Sequence, residues 1–167
     1  AYCEVLPSKV GQTFSLVTPL IDLLQVDAGS TVGLDFYYHM HGVHIGNLRL
    51  QASTDRSFET GVQDLLVRWS TLGSTSSTVS EAYVLSGQQH SNASDSFSLA
   101  RLGVNRMGNG LNEFRGKRFY IRFLYTAGIG HLGDCAIDNI SFYNSSAGIY
   151  QNSFKLMHPT YDNVNRP

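Results

Sequence analysis

Leu34-Asp35-Phe36-Tyr37-Tyr38-His39-Met40-His41-Gly42 alternates strictly, with Leu34, Phe36, Tyr38 and Met40 on one side and Asp35, Tyr37, His39 and His41 on the other. Successive side chains of an extended backbone point to opposite faces, so a period of two over this length predicts a half-buried β-strand. A hundred residues later, Gly133-Asp134-Cys135-Ala136-Ile137-Asp138-Asn139-Ile140 also reads as a strand. Between them, Phe119, Ile121, Phe123 and Tyr125 alternate with Arg118, Tyr120, Arg122 and Leu124. The first of these sets is wholly apolar or aromatic and is expected to face the core.

Working outward, short apolar runs recur near Thr13–Val17, Asn47–Ala52, Leu65–Trp69, Glu81–Leu85 and Ser96–Leu102. The gaps between them are rich in turn formers, such as Gly73-Ser74-Thr75-Ser76-Ser77 and Gly108-Asn109-Gly110. Strands of this length and spacing predict an all-β fold, a jelly-roll β-sandwich of two antiparallel sheets with little helix. Two segments, Leu20–Leu24 and Val62–Trp69, also show i, i+3, i+4 apolar spacing. Both are short and compatible with strand, so periodicity leaves them open. The chain of 167 residues is one domain by length. Residues 1–143 are expected to form the sandwich. Residues 144–167, rich in Asn and ending Arg166-Pro167, read as a C-terminal extension that would order by docking on a neighbour.

Hydrophobic residues make up 42% of the chain and charged residues 15%, below the globular norm of about 25% charged. The polar surface therefore falls to Ser, Thr, Asn, Gln and Gly. A formal net charge of −1 supplies no long-range attraction for nucleic acid. Arg115, Lys117, Arg118 and Arg122 cluster along the chain, but a phosphate-tracking surface needs more charge than this. They read as outward positions of a strand. No apolar run reaches the ~20 residues that span a bilayer, so no membrane insertion is expected.

The order and separation of these blocks resemble the MAM domain, an extracellular adhesion module. Phe14 to Ile21 is similar to the family's early strand. Leu34 to Gly46 resembles its F-W-Y-H-M-Y-G…I-G block, continuing into Asn47-Leu48-Arg49-Leu50. Trp69 and Ser86-Gly87-Gln88-Gln89 are similar to its W…S-G-N-Q stretch, and Phe119 to Asn139 to its F-x-F-x-Y…G-D-I-A-I-D-D-I ending. The resemblance covers roughly residues 13 to 143. It departs in its cysteines: the family's pairs are largely missing, and Cys135 stands where the pattern has Ile.

What the resemblance implies is a scaffold for recognition. Family members and several carbohydrate-binding jelly rolls place a structural calcium ion between a Glu of the N-terminal strand and an Asp of the last one. Glu4 and Asp138 match those positions, with backbone carbonyls and water completing the oxygen shell. Trp69, Tyr37 and Tyr125 are candidates for stacking on a sugar ring as in lectin-like modules, although aromatics of a sandwich are core in most cases.

Other constellations are weaker. His39 and His41 share a strand face about 6.6–7 Å apart, and with His44 they invite a zinc hypothesis. No nearby Cys or carboxylate completes a tetrahedral set, so they read as strand histidines with hydrogen-bonded rings. Asp134 and Asp138 look like a catalytic pair, but four residues of extended strand span about 13 Å. That exceeds the roughly 5–9.5 Å of glycosidase carboxylates. No nucleophile elbow, phosphate loop or zincin motif occurs, and no enzymatic activity is expected. A Cys3–Cys135 disulfide would close a loop of more than a hundred residues, while two buried thiols explain the pair equally well. Asn92, Asn139 and Asn144 head glycosylation sequons.

The expected function is a non-enzymatic adhesion module, binding proteins, glycans or copies of itself on an extracellular or cell surface. A virion structural protein, as a capsid decoration or fibre component built on the same jelly roll, is the alternative. A carbohydrate-binding module is a weaker one.

Overall fold

The computed structural model describes residues 1–3, 9–26, 30–71, 78–104, 110–146 and 149–151. It is a sandwich of two antiparallel sheets, as the alternation predicts. Sheet A holds β1 (Tyr2–Cys3), β12 (Asp134–Ser146), β4 (Thr31–His41), β10 (Ser98–Val104), β7 (Val67–Thr71) and β8 (Thr78–Ala82) in that spatial order, with β13 (Ile149–Gln151) against β12. Sheet B is ordered β2 (Thr13–Val17), β11 (Arg118–Thr126), β5 (Asn47–Ser53) and β6 (Gln63–Asp64). In sheet B, β3 (Ile21–Asp22) also pairs with β11, and β9 (Val84–Ser86) with β5. Most neighbours in a sheet are distant in sequence, as in a jelly roll, the exceptions being β7–β8, β5–β6 and β12–β13.

The two opening blocks are neighbours. β4 and β12 run antiparallel with Asp134 opposite His41, Ala136 opposite His39 and Asp138 opposite Tyr37. The register shifts between Asp138 and Ser141, where Asn139 takes a positive φ of 50°. Asn tolerates the left-handed region better than most residues, so the sequence supplies a suitable residue at the bulge.

The apolar alternation fills the space between the sheets. Val32, Leu34, Phe36, Tyr38 and Met40 of β4 are buried, as are Phe119, Ile121, Phe123 and Tyr125 of β11 and Leu48, Leu50 and Ala52 of β5. Phe36 bridges the layers, edge-on to Phe123 at 5.1 Å and to Trp69 at 5.9 Å, a favoured arrangement of ring quadrupoles.

Neither segment with ambiguous periodicity is helical, and each contributes short strand. Ile21–Asp22 forms β3, and Val62–Trp69 contributes β6 and most of β7. Pairing with β11 and with β5 and β10 satisfies their backbones, which a short isolated helix would not do as well. The run near Glu81–Leu85 divides: β8 pairs with β7 in sheet A, whereas β9 pairs with β5 in sheet B. The chain thus changes sheets at Tyr83. At the C-terminal end, β12 continues to Ser146 and pairs with Ile149–Gln151, so the first residues beyond 143 belong to sheet A. Residues 152–167 of the expected extension lie outside the described residues.

Candidate recognition surface

The ends of the two opening blocks converge at one end of the sandwich. There the β4–β5 loop (42–46) and the β11–β12 loop (127–133) lie against each other. The His44 N–H donates to the Leu132 carbonyl at 2.9 Å, and the Leu132 N–H donates to His44 Nδ1 at 3.4 Å. Such approach demands glycine. A Cβ on Gly42 would overlap the Leu132 carbonyl oxygen, and one on Gly46 would overlap that of Thr126. Gly42 also sits at a φ of +119°, a conformation that L side chains rarely adopt. The Gly46 N–H is met from below by the buried Tyr125 hydroxyl at 3.2 Å.

These tied loops hold apolar side chains out in water. Ile129 is 91% exposed, Val43 76% and Leu132 54%. Isolated exposed apolar residues are commonplace, but a group of them on one pair of pinned loops is a candidate contact surface.

A histidine cluster lies beneath the same end. His90, on the β9–β10 loop, is 1% exposed. Its Nδ1 accepts the Met40 N–H at 3.1 Å, so the ring is neutral and its Nε2–H donates to Ser98 Oγ at 3.0 Å. The Gln89 and His90 N–H groups both donate to the Met40 carbonyl at 3.0 Å. His41 Nδ1–H donates to the His90 carbonyl at 3.1 Å. The His39 ring stacks on that of His90 at 4.2 Å, and its buried Nε2 has no hydrogen-bond partner. Burial, and next the adjacent His39 ring, hold the His90 pKa below its ordinary value, with Asp95 partly opposing them.

The zinc reading finds no support in this geometry. Rings of His39, His41 and His90 stack and hydrogen-bond to backbone instead of converging, His44 is engaged by the Leu132 N–H, and no group of three or more His, Cys, Asp or Glu among the described residues is arranged to hold a metal. Asp138 is exposed beside the bulge, and its Oδ1 accepts the Asn139 N–H at 2.8 Å. Glu4, the other expected calcium ligand, lies outside the described residues. Asp134 and Asp138 remain four residues apart in unbroken register, still about 13 Å along the strand.

Burial removes two of the three sugar-stacking candidates. Trp69 is 0% exposed, wedged edge-on against Phe36 and Tyr38, with its indole N–H donating to the Ala82 carbonyl at 3.1 Å. Tyr125 is likewise core. Only Tyr37 reaches the outer face of sheet A, half-buried between Leu99 and Asp138.

The basic residues are occupied within the fold. Arg118 pairs with Asp22 at 2.7 Å. Arg122 donates to Gln51 and lies over the Phe58 ring at 4.5 Å, and Lys117 sits 5.8 Å from the Phe114 ring. Cys3 and Cys135 are directly opposite each other on β1 and β12, and both are free thiols in this structure. Of the sequon residues, Asn92 and Asn139 are exposed.

The loop-tip residues were missed in the sequence because Val43, Ile129 and Leu132 read as ordinary apolar positions beside glycines. Their one signal is that very company: Gly42-Val43-His44-Ile45-Gly46 and Gly128-Ile129-Gly130-His131-Leu132-Gly133 are two glycine-framed apolar loops. Neither a protein-family model nor a curated protein matches the chain.

Proposed function

We propose that this protein is a non-enzymatic recognition module of MAM-like type, which binds protein through the loop tip carrying Val43, Ile129 and Leu132. The observation that carries this reading is the exposure of those three side chains on loops whose backbones are tied together. Exposed apolar area lowers the free energy of a complex when it leaves water, at about 25 cal/mol per Å2. Loops already held in place lose little conformational freedom on binding. The burial of Trp69 and Tyr125 favours a protein partner over a sugar. The sequence resemblance points the same way, to an adhesion role on an extracellular or cell surface. A second copy of the chain, as in a virion assembly, fits the same surface.

The test is the triple variant Val43→Ser, Ile129→Ser, Leu132→Ser. Its melting temperature is expected to stay within about 2 °C of the wild type, since exposed sites contribute little to folding. Self-association by sedimentation and binding to cells of the native source are the readouts. Loss of self-association would identify a second copy as the partner, and loss of cell binding alone would identify a surface receptor. A triple variant that matches the wild type in both assays would refute the assignment.

A further inference from the structure

Cys3 and Cys135 are Cα partners in the β1–β12 ladder. Two residues back along β1, Ala1 and Ile137 exchange both of their backbone bonds: the Ala1 nitrogen donates to the Ile137 carbonyl, and the Ile137 N–H to that of Ala1 at 2.7 Å. Antiparallel ladders alternate, so Cys3 and Cys135 form the next hydrogen-bonded pair, with Cα atoms about 5.5 Å apart. A disulfide needs roughly 4.4–6.8 Å between Cα atoms, and the Cβ atoms, about 5 Å apart in a hydrogen-bonded pair, must draw in to about 4 Å as the bridge closes. Directly opposed residues point to the same face, and here both thiols line one apolar cleft of about 340 Å3 between β1/β12 and β2/β11, beside Phe14, Leu48, Phe123 and Tyr125.

We propose that Cys3 and Cys135 are a redox-closable clasp, which forms a cross-strand disulfide in the folded protein and fastens edge strand β1 to β12. The oxidant is a low-molecular-weight disulfide such as oxidised glutathione. The Cys3 thiolate attacks it, forming a mixed disulfide and expelling one glutathione thiol. The Cys135 thiolate then attacks the Cys3 sulfur and expels the second. Two protein thiols are oxidised, one glutathione disulfide is reduced to two thiols, and the two protons that the protein thiols lose pass through solvent to the two expelled glutathione thiolates.

The order of attack follows from burial. Cys135 is buried and its thiol is pushed up to about 12 by desolvation, whereas Cys3 is half-buried, its thiol raised by partial burial and by Asp134. The accessible sulfur therefore reacts with the oxidant, and the buried one resolves the mixed disulfide. Closure is expected to be slow at neutral pH, because thiolate is the nucleophile and both thiolates are scarce. What the clasp would secure is specific. β1 is a two-residue strand at the sheet edge, paired in the ladder with β12, and it forms one wall of the cleft.

The experiment treats the folded full chain with oxidised glutathione, then alkylates and measures intact mass, with Cys3→Ser and Cys135→Ser treated in parallel. The wild type is expected to become two hydrogens lighter without added glutathione. Its melting temperature should rise by about 5–10 °C on oxidation, and the Ile137 amide should exchange more slowly. Cys3→Ser, which keeps the buried Cys135 in place, should show none of these three changes. A persistent glutathione adduct at Cys3, closure only after unfolding, or a bridge that alters neither melting nor Ile137 exchange would each overturn the proposal.

Discussion

His90 shows how one residue couples burial to pH. Folded, its ring is kept neutral below the ordinary value of 6.5 by burial and by the adjacent His39. Unfolded, it titrates near that ordinary value. As pH falls below 6.5 the unfolded chain takes up the proton first, so this contribution to stability is complete above 6.5. It declines through the window beneath, until the folded ring is protonated as well. A protonated Nδ1 cannot accept the Met40 N–H, so the β9–β10 loop is the part that acid should loosen. Urea midpoints measured from pH 8 to 5 should fall below about pH 6.5, and His90→Asn should reduce that slope. Trp69 illustrates the opposite, a residue without titration whose burial is its entire role. Trp69→Ala is expected to cost about 3–5 kcal/mol in denaturant titrations, whereas an exposed binding aromatic would cost almost nothing.

At the scale of the element, the two loops of the recognition tip depend on backbone contact. Gly46→Ala would drive a methyl group into the Thr126 carbonyl, and both partners are backbone that cannot rotate away. The expected loss is about 1–3 kcal/mol, and the amides of His44 and Leu132 should exchange faster as the loops part. Hydrogen exchange read residue by residue checks both. The strands themselves were legible in sequence. Thr13–Val17 appears with its expected bounds, and the buried face of β11 is the set of alternating residues predicted for it. What periodicity left open were the two-residue strands β3 and β6, and the sheet change at Tyr83 escaped it altogether. Two residues are too few to show a period, so their extended state comes from the ladder beside them.

For the whole molecule, the pairings that hold the sandwich are distant in sequence: Tyr2 with Ala136, Thr13 with Thr126, Val32 with Asn144. Closing such loops costs entropy before any contact rewards it, so all-β chains of this kind refold in milliseconds to seconds. Stopped-flow fluorescence of Trp69, quenched or shifted as it enters the core, should show its main phase in that range. The same topology brings residues of the β4–β5, β9–β10 and β11–β12 loops to one end, where five of the six histidines gather. The sixth, His158, lies outside the described residues.

Strict alternation in Leu34–His41 and Phe119–Tyr125 determined the all-β class, the strand faces and most of the core, because the period of side-chain direction is a property of extended backbone itself. Spacing along one strand was also enough to separate Asp134 from Asp138. Only the tertiary structure decided that Trp69 is buried, that His90 stacks on His39, that Cys3 faces Cys135, and that Val43, Ile129 and Leu132 share an exposed tip. Each of these is a relation between residues dozens of positions apart, set by register and by which sheet covers which. No local period encodes a relation of that kind.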